Sequence, residues 1–153
     1  MIFLCVLGVL CVSVRGIQKK FYSYSPALEI SDSVSGRVYG RWPVSEGDEF
    51  AVEFIHSVNQ SPVREVYKIE SKKIQAVSVR FFSFGAGMLS DIEEGQTMNR
   101  DGDAMIISGL SRRFTELDYI VGTVSDHLLV AGGETISLKD LCGKNAHIAL
   151  RIK

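Results

Sequence analysis

Alternation of apolar and polar residues is what most constrains this chain. In FAVEFIHS (50–57), Phe50, Val52, Phe54 and His56 fall on one side of an extended strand, with Glu53 and Ser57 on the other. In VREVYKIES (63–71), Val63, Glu65, Tyr67 and Ile69 share a side, with Arg64, Lys68 and Glu70 opposite. A period of two excludes an amphipathic helix over these residues and asks for a sheet with one buried face.

The same texture continues through the chain. GRVYGRW (36–42), IQAVSVRFFSF (74–84), AMIIS (104–108), ELDYIVGTV (116–124), HLLVAG (127–132), ETISL (134–138) and HIALRI (147–152) are short runs separated by turn residues. Asp101-Gly102 and Gly132-Gly133 supply positive-φ positions for tight hairpins. SLKDLCG (137–143) alone reads as a helical turn, with Gly143 as its stop. The expected fold is all-β, an antiparallel sandwich or barrel of about 8–10 short strands, preceded by an N-terminal hydrophobic helix.

That helix is expected from IFLCVLGVLCVSV, thirteen apolar, small or Ser residues followed by Arg15, Lys19 and Lys20. The run is shorter than the roughly 20 residues of a straight transmembrane helix and fits the core of a secretory leader. Residues 1–20 are therefore read as a signal peptide or an N-terminal membrane anchor, and 21–153 as one β-rich domain outside the cytoplasm. Cys5 and Cys11 fall in the leader, so Cys142 is alone in the body and no internal disulfide holds the fold. Seventeen Lys and Arg against eighteen Asp and Glu give a net charge of −1. No basic excess is present to gather a phosphate backbone, so nucleic acid is not expected as a partner.

Two stretches stand out chemically. If the strands at 50–57 and 63–71 form a hairpin with their apolar sides together, His56 and Glu65 lie on the inner face. Two registers achieve this, with His56 opposite Val63 or opposite Glu65, and both make the pair direct or diagonal neighbours. A buried carboxylate needs a partner, and the imidazole is the expected one. The pair either closes the sheet end structurally or forms a binding corner beside Ser57 and Pro62. FFSFGAGM (81–88) is the second stretch, where Gly85 and Gly87 allow a sharp bend that lines the same end, or mark a simple bulge. No third Gly completes a dinucleotide fingerprint, and Asn99–Asp103 lacks the spacing of a calcium loop, so neither a cofactor nor a metal is expected. His127, beside Asp126, joins the binding candidates; His147 has no partner at metal-ligand spacing. Ser57 and His56 point to opposite faces, which excludes a nucleophile–base pair, and no catalytic residue is assigned.

The order GDEFAVEFIHSVNQSPVREVYKI, FFSFGAGM, a DG turn, SRRF and DHLLVAGG resembles the bacterial domain of unknown function 1850 family, from about Gly36 to the C-terminus. His56-Ser57-Val58, Pro62-Val63, Glu65 and Gly85-Ala86-Gly87 carry most of it; Leu89 stands where the family typically has Pro. The resemblance implies an extracytoplasmic accessory protein of TRAP transporters of the TAXI type. Its partner would be the transporter's membrane subunit or solute receptor, or a small organic solute. A non-enzymatic, ligand- or partner-binding β-domain is the resulting expectation. The alternatives are a hydrolase or isomerase using His56 and Glu65 as base and orienter, and a purely structural interaction domain.

Overall fold

The computed structural model describes residues 26–82 and 92–153. Two antiparallel sheets face each other. The smaller is built from β1 (Ala27–Asp32), β2 (Val38–Pro43), β9 (Glu116–Ile120) and β12 (His147–Ile152), in the order β2-β1-β12-β9. The larger contains β3 (Glu49–Ile55), β4 (Pro62–Glu70), β5 (Lys73–Phe81), β6 (Thr97–Asp101), β7 (Ala104–Ser108), β10 (His127–Ala131) and β11 (Glu134–Ser137). Its order is β11-β10-β3-β4-β5-β7-β6, with the two-residue β8 (Arg113–Phe114) alongside β5. The helical turn α1 (Leu138–Cys142) ends where Gly143, at φ 96°, donates its N–H to the Lys139 carbonyl.

Of the expected sandwich or barrel, the described residues form an open, sandwich-like antiparallel all-β fold, with twelve strands where about 8–10 were expected. Both glycine hairpins form as two-residue loops, Asp101 facing Ala104 and Ala131 facing Glu134, with positive φ at Gly102, Gly132 and Gly133. Three strands were not expected: β1, β6 and the two-residue β8. β1 alternates over only ALEISD, and β6 is TMNRD, whose polar residues have low strand preference. Each is drawn into a sheet by its neighbours' unpaired backbone groups. The N-terminal hydrophobic helix, the leader and the Gly85–Gly87 segment lie outside the described residues. Among the described residues no helix is long and apolar enough to cross a membrane.

Alternation fills the space between the sheets. Leu28, Ile30, Leu117, Ile148 and Leu150 from the smaller sheet meet Phe50, Val52, Ile69, Ile74 and Leu129 from the larger. Each such side chain, fully buried, contributes about 1.5–3 kcal/mol. A second cluster, Val63, Val79, Phe81 and Ile107, has Phe54, Met98, Met105 and Leu110 packed against it and, among the described residues, draws none from the smaller sheet. Among the described residues the smaller sheet does not reach this end of the larger one, and a cavity lies there.

Candidate functional site

Glu65 is the centre of this region. It sits on the inner face of β4 between Val63 and Tyr67, opposite Val52 of β3 and Val79 of β5. An inward carboxylate costs several kcal/mol unless hydrogen-bonded. Here two phenols supply the bonds: Tyr67 donates to Oε2 at 3.0 Å and Tyr119 donates to the same oxygen at 2.6 Å. The shorter distance is that of a charge-assisted hydrogen bond. The two hydroxyls are 2.9 Å apart, so two protons are shared among three mutually close oxygens. Glu65 Oε1 accepts no hydrogen bond among the described residues. Burial, reinforced by the Glu65 charge, raises both phenols far above the usual tyrosine range, so they stay protonated as donors.

Aromatic packing fixes the triad. Phe50 stacks on Tyr67 at 5.3 Å, and Phe114 meets Tyr67 edge-on at 6.4 Å. On the other side His127, paired with Phe54 across β10 and β3, stacks on it at 5.0 Å and meets Tyr119 edge-on at 6.1 Å. His127 Nδ1 accepts the Gly122 N–H at 3.2 Å, which requires the lone pair of an uncharged imidazole at that nitrogen. Burial lowers the His127 pKa, opposed in part by Asp126.

A cavity of about 480 Å³ opens beside the triad, with Phe54, Val63, Val79, Leu110 and Phe114 among its apolar walls and His56, Glu65, Tyr67 and Arg112 among its polar ones. A bulge in β5 shapes the far wall. Between the Val66–Ser78 and Tyr67–Ala76 pairs, Val77 has no opposite number, and its carbonyl accepts the Leu110 N–H at 3.1 Å. Ala76 donates to the Arg112 carbonyl at 2.9 Å, and Phe114 pairs with Ile74. The strand 110–114 is thereby stitched along β5, with Arg113 turned outward to Glu70 and Arg112 left on the cavity side. The Arg112 guanidinium lies over the Phe114 ring at 5.1 Å and makes no ion pair among the described residues. Glu93 and Gln96 complete the rim, joined by a 3.1 Å bond from Gln96 Nε2 to Glu93 Oε2.

His56 and Glu65 both line this cavity, so the shared inner face is as expected, but the close pair is not formed. The hairpin sets Phe54 opposite Val63, and its ladder ends with the His56 N–H on the Ser61 carbonyl at 2.9 Å. Four residues of strand, roughly 13 Å, separate the Val52–Glu65 pair from His56. The reason lies in parity: a slip of two residues keeps every apolar side chain inside, so burial cannot choose among such registers. The loop chooses instead, with Gln60 at φ 51° donating its backbone N–H to the His56 carbonyl at 2.9 Å and closing a short 56–61 turn. His56 Nδ1 accepts from Val58 N–H at 3.3 Å.

The remaining candidates scatter. Ser57 is exposed in the turn, its carbonyl accepting from Gln60 Nε2 at 2.6 Å. Pro62 begins β4 and borders a separate trough on the other face of the sheet, with Glu53, Arg64 and Arg80. His127 is near the site as a packing partner of Tyr119. Tyr67, Tyr119 and Arg112 were not foreseen. Tyr67 shares the Glu65 face in plain alternation, and an inward Tyr119 hydroxyl needs a partner. Nothing in the sequence pairs residue 119 with residue 65. Among the described residues no group of three His, Cys, Asp or Glu is placed to hold a metal ion.

A family model described as Domain of unknown function (DUF1850) matches residues 50–138, more than half of the chain. The match runs from the start of β3 into α1 and includes Glu65, Tyr67, Arg112, Tyr119 and His127. Comparison with the curated proteins and with the solved structures finds no match.

Proposed function

The chain belongs to the family of the domain of unknown function (DUF1850), and from that premise we propose that it binds a small organic solute in the cavity beside Glu65, without transforming it. One observation carries this reading. The Glu65 carboxylate is fixed through Oε2 by two phenols, while Oε1 has no hydrogen bond among the described residues and the residue lines a cavity of about 480 Å³. That volume suits a small ligand, and apolar walls with few fixed polar groups are the usual makeup of a ligand pocket. A carboxylate held in place before binding loses little freedom when a ligand arrives. A non-catalytic role is supported by the chemistry around it: the phenols are held protonated, and His56 is too far along the hairpin to act with Glu65 as base and orienter.

The test is a thermal-shift screen of the protein against amines, amino acids, organic acids and divalent metals, repeated on Glu65→Gln. Stabilisation lost in the variant is the expected result. Stabilisation of equal size in both proteins, or none from any probe, overturns the reading. The extracytoplasmic location and the partnership with a TRAP transporter of the TAXI type belong to the same proposal, supported by the family resemblance and the apolar leader pattern. Co-purification of the tagged chain with a TRAP membrane subunit or receptor from detergent extracts tests the partnership, and absence of both from the eluate counts against it.

A further inference from the structure

We infer that the solute is a zwitterion, an apolar body carrying both an ammonium and a carboxylate group, with Glu65 receiving the first and Arg112 the second. The inference rests on the proposed binding role of the cavity and adds the chemistry of the ligand. Its basis is that two opposite charges line one small space and neither neutralises the other. Among the described residues the Glu65 carboxylate is bonded only by Tyr67 and Tyr119, both uncharged. Among the described residues the Arg112 guanidinium makes only the cation–π contact with Phe114. The cavity's second described carboxylate, Glu93, is exposed at the rim and engaged by Gln96.

The spacing fits a small molecule. Glu65 stands on β4 and Arg112 on the segment beyond β5, two strand spacings across and about two residues along, roughly 12 Å of backbone apart. Both side chains extend from the same face of the sheet. A ligand carrying one charge would engage only Glu65 on the inner face or only Arg112, which is exposed at the cavity mouth. A dipolar ligand satisfies both, and guanidinium suits a carboxylate through its two parallel N–H donors. Phe54, Val63 and Val79 among the cavity walls favour a hydrocarbon body over a polar one.

Calorimetric titration of the full chain with L-leucine and 6-aminohexanoate, against leucinamide and N-acetyl-leucine, tests this. At least one zwitterion is expected to bind, with the single-charge analogues weaker. Arg112→Gln and Glu65→Gln should each weaken zwitterion binding ~10–100-fold, the loss of a hydrogen bond to a charged group. Arg112→Lys should restore part of it, and a cooperative thermal melt of each variant confirms that it folds. Leucinamide binding as well as leucine, with Arg112→Gln harmless, overturns the zwitterion and leaves the Glu65 reading standing. N-acetyl-leucine binding as well as leucine, with Glu65→Gln harmless, overturns both. Failure of all four probes while another compound class binds through Glu65 overturns the zwitterion alone.

Discussion

Tyr119 of the smaller sheet donates its hydroxyl to Glu65 of the larger one at 2.6 Å, across the interior of the protein. Fifty-four residues separate the two in sequence. The bond joins the sheets at the edge of the hydrophobic core, where the smaller sheet ceases to cover the larger and the cavity begins. It therefore serves stability and site geometry together.

Removing that hydroxyl should expose both roles. Tyr119→Phe keeps the ring and its contact with His127 but leaves Tyr67 as the sole donor to Glu65. A loss of about 1–3 kcal/mol in urea-unfolding stability is expected. A double-mutant cycle with Glu65→Gln should give a coupling well above the few tenths of a kcal/mol typical of distant sites. Additive effects would mean that the contact contributes nothing of its own.

Gly122 is a matter of space. A Cβ there would lie 2.1 Å from the Ser125 carbonyl oxygen and 3.6 Å from His127 Nδ1. The obstacle is backbone, which cannot swing aside as a side chain can. Gly122→Ala should cost about 3 kcal/mol, the upper part of the usual range for overpacking. It should also disturb the His127 ring resonances in NMR spectra, because Gly122 N–H is the donor to its Nδ1. A variant with unchanged melting and unchanged His127 signals contradicts this packing.

His127 gives the fold an acid-side sensitivity of known sign. Burial lowers its pKa in the folded state, so on acidification the unfolded chain takes up this proton first. Where the unfolded form binds more protons, stability rises with pH. His127 therefore contributes fully above the unfolded value of about 6.5, and its contribution is lost as pH falls from there through the lower folded pKa. Urea melts at descending pH should show a decline beginning near 6.5 that flattens in His127→Leu, a variant less stable at neutral pH through the orphaned Gly122 N–H. An equal slope in both proteins would assign the decline elsewhere.

Cys142 should be a slow thiol. Half-buried at the end of α1, it has its pKa pushed up to about 11 by burial. Against an ordinary value of 9.0 the thiolate population at pH 8 falls by about 100-fold, and alkylation follows the thiolate. Peptide mapping after iodoacetamide treatment should find Cys142 modified far more slowly in native protein than in urea. Equal rates would show the thiol to be open.

The amino-acid sequence by itself determined which side chains face inward. Alternation at Phe50, Val52 and Phe54, and at Val63, Glu65 and Tyr67, fixes the faces of β3 and β4, because a slip of one residue would expose every apolar group. Glycine placement fixed two hairpins, since Gly102, Gly132 and Gly133 adopt the positive φ that those turns need. The choice between registers two residues apart was made only in the tertiary structure. All such registers bury the same face, and the closure of the 56–61 turn moved His56 away from Glu65. The partners of that carboxylate were likewise decided in three dimensions: Tyr119 and Arg112 reach the site because β9 crosses opposite β4 and the 110–114 segment docks on the β5 bulge. Alternation carries information over a few residues, whereas a bond between sheets depends on how two separately satisfied surfaces come to lie together.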